Sequence, residues 1–310
     1  MTDQPRIGDA VYSLAASPDY ARDGLCFAAC GSGLYRSEDG GRTWRDAYVA
    51  LDLQAPLMTT SVAVGPDDAS VYAGVIGGVL RSFDGGKNWL IAELPSPPPA
   101  VSTLVLSPNY ANDGTALAGT VEDGVFRSAD RGSKWASWNF GLLDLNVYSL
   151  AISPSFDSDD TLYVGTETGV FQSTNGGRAW RESGLDIELA PVISLALSPS
   201  FANDGTLFAG TESSGLLRSQ NGGLKWERIG REAVTGAVNV ILLAPDFPAR
   251  PHLLVLAEEA LLVSRDGGAS WSEWVSGRGA LEATCIAAPQ GLEPGAPLLV
   301  GLSQGGVLLI

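Results

Sequence analysis

Ser37-Glu38-Asp39-Gly40-Gly41-Arg42-Thr43-Trp44 is the stretch whose reading decides the fold, because the chain repeats it five more times. The other copies run from Ser82 to Trp89, Ser128 to Trp135, Ser173 to Trp180, Ser219 to Trp226 and Ser264 to Trp271. Successive tryptophans lie 45, 46, 45, 46 and 45 residues apart. A period this constant specifies an array of one supersecondary unit.

Working outward from each box, the unit shows four short β-prone runs, A to D in chain order. Run A is apolar and closes on Ser-Pro or a variant: Tyr12 to Pro18, Val101 to Pro108, Tyr148 to Pro154, Val192 to Pro199 and Val238 to Pro245. Run B is Leu25 to Cys30, Val71 to Val75, Ala116 to Thr120, Leu162 to Thr166, Leu207 to Thr211 and Leu253 to Ala257. Run C precedes the box, as in Leu34 to Arg36, and run D starts at the tryptophan. Runs of this kind between Gly, Pro, Asn and Asp clusters form short strands. Four such strands repeated at a fixed period specify a radial array, a β-propeller.

A seventh unit begins after the sixth box, with Ala283 to Pro289, Pro297 to Leu302 and Gly306 to Ile310, but has neither box nor run D. At the other end, Gln4 to Ile7 precede the first run A without a unit of their own. We expect that segment to supply the outer strand of blade seven, which removes open sheet edges. The expected fold is all-β: residues 1–310 as a single domain, one seven-bladed propeller of four-stranded antiparallel blades.

The box residues have structural reasons to recur. Paired glycines accept positive φ in a tight turn. Ser and Asp side chains bond the turn backbone, and Trp supplies a large body to bury between blades. The acidic position reads Asp39, Asp84, Asp130, Asn175, Asn221 and Asp266, and Arg131 replaces one glycine. Asn keeps an acceptor oxygen but lacks the charge a calcium ion wants. These positions, with Trp44, Trp89, Trp135, Trp180, Trp226 and Trp271, therefore read as architecture, and no metal or other cofactor is expected.

The boxes resemble the Asp-box, or bacterial neuraminidase repeat, whose pattern is Ser-x-Asp-x-Gly-x-Thr-Trp, over nearly the whole chain. The resemblance implies that each box closes the hairpin between the third and fourth strands of a blade. Sialidases of this kind use an arginine cluster, a tyrosine with a partner carboxylate, and an acid around the axis. Here the A runs carry no Arg, Asp or Glu, and the recurring Arg36, Arg81, Arg127 and Arg218 occupy equivalent positions before the box. Residues repeated around a ring cannot converge, so they read as contacts between blades. Xyloglucanase-type glycosidases, also similar, hold substrate between two propellers, and one is expected here. Photosynthetic assembly factors share the resemblance but bind partners through a basic patch, whereas this chain carries a net charge of −16.

That charge disfavours nucleic acid and anionic membranes as partners. No segment reaches the ~20 apolar residues of a membrane helix. The start lacks the charged and apolar regions of a signal peptide. The three cysteines fit no even disulfide framework, and Cys26 and Cys30 fall on one face of one strand. A cytoplasmic protein, monomeric on its own, is the expectation. His252 is the one histidine, and no triad, phosphate loop or zinc spacing is present.

Strand direction puts the boxes and A-to-B loops on one face. Those loops repeat a Pro-x-aromatic-x-x-Asp form: Pro18/Tyr20/Asp23, Pro108/Tyr110/Asp113, Pro154/Phe156/Asp159 and Pro199/Phe201/Asp204. They read as turns closed by Asp, with the aromatic covering the blade end. The opposite face varies from repeat to repeat, and variable loops are where specific work concentrates. Its B-to-C loops hold Glu122, Asp123, Glu167, Glu212, Glu258 and Glu259, an expected acidic arc. Its D-to-A loops add Tyr48, Trp138, Phe140, Asn146 and Trp274. The arc and its aromatics, Trp138 and Trp274 above all, are the candidate site. The expected function is a non-enzymatic scaffold holding a protein partner with a basic segment; a carbohydrate-binding or glycoside-hydrolysing protein is the alternative.

Overall fold

The computed structural model describes residues 7–67, 69–95, 99–185, 191–274 and 281–310. Seven antiparallel sheets stand in a ring, six of four strands and the last of three among the described residues. Their innermost strands are Val11–Ala16, Thr59–Val64, Ala100–Leu106, Val147–Ile152, Val192–Leu197, Val238–Leu243 and Ala283–Ala287. Each packs against the next, and Ala283–Ala287 packs against Val11–Ala16 to close the circle. The chain is the all-β, seven-bladed propeller that the period implied.

Second strands such as Cys26–Cys30, Leu162–Thr166 and Leu207–Thr211 are buried along their whole length. Blades cover them on both faces, so they read as continuous apolar runs with small residues rather than as alternation. Close approach explains the glycines within them. A Cβ on Gly165 or Gly210 would lie 2.5 Å from the carbonyl oxygen of Val192 or Val238 in the following blade.

The boxes bind themselves. In the first, Ser37 Oγ accepts the Gly41 N–H (2.9 Å), while Asp39 Oδ1 accepts the N–H groups of Arg42 (3.0 Å) and Thr43 (2.9 Å). Thr43 Oγ1 donates to Asp39 Oδ2 at 2.6 Å. Burial works against ionisation of Asp39, yet the bonds from Thr43, Ser37 and Arg42 outweigh it and hold the carboxyl at about 2. Asn175 and Asn221 still accept the N–H of Ala179 and Lys225 through Oδ1 (2.9 Å each). The side chain four residues on follows suit. Thr43, Asn88 and Ser270 donate to the second oxygen of an Asp, whereas Ala179 and Lys225 follow an Asn. Lys134, after Asp130, donates only its backbone N–H.

Each box is also tied to its own A-to-B loop by one backbone bond, such as Gly40 N–H to Gly24 O and Gly222 N–H to Gly205 O (both 2.9 Å). Four of those loops, read from sequence as turns closed by Asp, are single helical turns: Tyr20–Asp23, Tyr110–Asp113, Phe156–Asp159 and Phe201–Asp204. The Asp closes each one. Asp23 Oδ2 accepts Ser17 Oγ (2.7 Å) and its Oδ1 accepts the Leu25 N–H (2.8 Å).

The recurring arginines join blades. Arg36 Nε donates to Gly85 O (2.6 Å), Arg127 Nη1 to Gly176 O (2.8 Å) and Arg218 Nη1 to Gly267 O (2.9 Å), each in the next blade's box. Arg81 makes the same bond to Arg131 O at 2.5 Å. In blade four Gln172 takes the position and donates to the Tyr163 hydroxyl, which bonds Gly222 O at 2.9 Å. Blade six has Val263 there, and blade seven has no box to receive a donor.

The fourth strand expected for blade seven from Gln4 to Ile7 falls outside the described residues except for Ile7. Ile7 is buried with Val11, Cys285 and Leu299, and Val307 packs against the same cluster.

Candidate functional site

The box face spends its polar groups on its own turns, and the candidate residues lie on the opposite face. There every blade repeats one irregularity: a β-bulge near the start of its innermost strand. The bulged residues are Tyr12, Thr60, Ser102, Tyr148, Ile193, Asn239 and Thr284. A bulge re-aims a side chain that the ladder would otherwise constrain.

In three blades the bulged residue is a small alcohol that stitches the seam. Thr60 donates to Val101 O, Ser102 to Val147 O and Thr284 to Val11 O. In blades four and five the following serine takes over, Ser149 to Val192 O (3.3 Å) and Ser194 to Val238 O (2.6 Å). That transfer releases Tyr148 and Ile193 from structural duty. Sequence reading missed these positions, although the change from Thr or Ser to Tyr at one repeat position was visible.

Tyr148 gathers the acids. Burial first, then the charges of Glu167, Asp144 and Glu212, raises its pKa and keeps the phenol protonated. Asn146 bridges two blades beside it: Oδ1 accepts the Glu122 N–H (3.1 Å), and Nδ2 donates to Glu167 Oε2 (2.8 Å). Asp144 Oδ2 accepts both the N–H and the hydroxyl of Thr168 (2.8 Å each), fixing the loop that carries Glu167. Burial opposes ionisation of Asp144, but the bonds from Asn146 and Thr168 lower its pKa.

The structure thus brings together Glu122, Glu167 and Glu212, all exposed, around Asn146 and Tyr148. Asp123, beside Glu122, is half-buried, and its carbonyl accepts Asn139 Nδ2 at 2.8 Å. Glu258 and Glu259 are exposed one blade further on, with the Glu258 N–H held by Ala237 O (2.7 Å). No link joins them to the other acids among the described residues.

The aromatics go elsewhere. The Trp138 ring has the guanidinium carbons of Arg127 and Arg178 at 4.5 and 5.5 Å from its centre, beside the fourth box, and its carbonyl accepts Trp180 Nε1 at 2.7 Å. These contacts place it in the seam between blades three and four rather than with the acids. Trp274 packs half-buried at the junction of blades six and seven, lining a cavity of about 310 Å³ with Arg265, Pro294 and Ile310. Tyr48, placed by the sequence among the loop aromatics, is 3% exposed and bonds the Thr59 hydroxyl. Phe140 is 80% exposed, as expected for a loop tip.

Among the described residues no three His, Cys, Asp or Glu side chains are arranged to hold a metal ion. All three cysteines are free and buried. Burial pushes the Cys26 and Cys285 thiols up to about 12, and raises Cys30 as well. Raised thiols in apolar surroundings are poor nucleophiles.

No known family pattern matches the chain, and no curated protein does. Solved structures do. The GH74 xyloglucanase from Xanthomonas campestris superposes with a TM-score of 0.76 at 19% identity, over 98% of this chain and 52% of its own. YCF48 bound to D1 peptide gives 0.73 at 16%, over 99% of this chain and 94% of its own. The extracellular domain of a putative one-component system from B. thetaiotaomicron gives 0.72 at 16%, over 99% and 39%. The chain spans about half the length of the xyloglucanase it matches. At such identities the likeness is one of fold.

Proposed function

We propose that the chain is a single-domain Asp-box propeller acting as a non-enzymatic platform for a protein partner. Glu122, Asp123, Glu167 and Glu212 receive a basic segment of that partner, with Glu258 and Glu259 extending the surface. The observation that carries this reading is the grouping of Glu167, Glu212 and Asp144 around Tyr148, a residue released from the seam because Ser149 makes the bond across it. Three carboxylates beside a neutral phenol attract Lys and Arg and offer a hydrogen bond without adding positive charge. The likeness to YCF48, solved with a peptide bound, supports a peptide-holding role. The buried free thiols fit a reducing compartment such as the cytoplasm.

The test is a calorimetric titration with a synthetic Lys/Arg-rich peptide. Binding should weaken steeply with salt and fall at least about tenfold in the double variant E167K/E212K. Binding that ignores both would sink the reading. A second reading, oligosaccharide binding, draws on the likeness to the xyloglucanase. Thermal stabilisation by xyloglucan oligosaccharides, with none by the basic peptide, would select it.

A further inference from the structure

The fourth strands form the outer rim of the ring, and five of them are blunt. Arg45–Asp46, Ala136–Ser137, Arg181–Glu182, Glu227–Ile229 and Ser272–Glu273 have two or three residues, most of them charged or polar. Short, charged edges are how sheets avoid pairing with other chains. Blade two departs from this. Its fourth strand, Leu90–Glu93, has four residues, no positive charge and no proline. Leu90 is 53% and Ile91 59% exposed. No strand pairs with its outer side among the described residues.

A cavity of about 450 Å³ adjoins this edge, lined by Leu57, Val75, Ile76, Ile91, Glu93 and Leu94. Its origin is in blade one. There the fourth strand stops at Asp46, whose Oδ1 accepts the Tyr48 N–H (2.7 Å) and turns the chain inward. Tyr48 is buried against Thr59, so blade one leaves the upper half of Leu90–Glu93 uncovered. Strand alternation puts Ile91 and Glu93 on the cavity side, while Ala92 faces the core of blade three. Apolar wall and single acid thus stand two residues apart on one face of an open edge.

The geometry points to this edge as a docking site for an extended peptide of a partner protein, added antiparallel as a fifth strand. The peptide carries a basic residue against Glu93 and, two positions along, an apolar residue against Ile91 that fills the cavity. Backbone bonds to the edge supply affinity and the alternating side chains supply selectivity. Charge decides the occupant. A second copy would bring another net charge of −16 and another Glu93, whereas a basic strand is complementary. The site stands apart from the acidic arc and does not depend on it.

The experiment uses the full chain and labelled peptides of alternating Thr and Val with a Lys-x-Ile core, beside the same peptides carrying Glu for Lys or a central Pro. The Lys peptide should raise fluorescence anisotropy on binding, and the Glu and Pro peptides should not. I91K should weaken binding by about tenfold or more, E93K should shift preference to the Glu peptide, and E167K/E212K should change neither. Amide exchange at residues 90–93 should slow when the Lys peptide is bound to the unsubstituted chain. Absence of peptide binding, unaltered exchange at 90–93, or binding indifferent to I91K overturns the proposal. So does a dimer that I91K abolishes, which would assign the edge to self-pairing.

Discussion

Asp39 and Asn175 occupy one repeat position but do unequal work. Asp39 takes bonds on both oxygens, including the 2.6 Å bond from Thr43, whereas Asn175 uses only Oδ1. Removing bonds to a charged acceptor costs more than removing neutral ones. D39A should therefore destabilise the chain by about 2 kcal/mol and N175A by about 1 kcal/mol, read from urea unfolding. The acid response follows from the same residues. Asp39 and Asp84 sit at about 2, below the ordinary ~3.9 of an unfolded Asp. Their contribution is complete above pH ~4 and is lost as pH falls toward about 2, so D39N should flatten the stability loss across that window. The box chemistry was legible from sequence because Asn substitution exposed the role of the acceptor. Tyr148 was not, because a bulge is a matter of register, and register does not show in a single run of β-prone residues.

At the scale of elements, the blades, their order and the two faces could be read from the 45-residue beat. Directional details were harder. Arg127 could be placed between blades from repetition alone, but its target, Gly176 O, needed coordinates. Replacing it with Met should cost about 1–2 kcal/mol, through the lost bond and the lost stacking on Trp138, as measured by denaturant midpoint. The rim strand Leu90–Glu93 carries no mark in its own unit that sets it apart. Its exposure depends on where blade one stops, a relation between units that no single unit displays. Ile7, buried with Leu299 in a cluster that Val307 also joins, implies that the start of the chain stabilises the last blade. Deletion of residues 1–8 should lower the melting temperature by several degrees; an unchanged value would rule that contribution out.

At the scale of the molecule, the ring makes stability a shared property, since every blade packs against its neighbours. Net charge opposes it. With 35 acidic against 19 basic residues, self-repulsion weakens the compact state, and salt should relieve it. The melting temperature should therefore rise between low ionic strength and ~0.15 M, even as binding of basic peptides to the acidic face weakens. Opposite salt responses of folding and binding distinguish the two uses of the same charge.

Val263, the missing donor of blade six, has a consequence for how such a chain can grow. Blades one to five offer a hand forward and the boxes of blades two to six a carbonyl backward, so a duplicated unit spliced between blades two and three would be grasped from both sides. Spliced between blades six and seven, the same unit would arrive ungrasped. A unit added at that junction would need a donor such as Arg at position 263 before it could be held as its neighbours are.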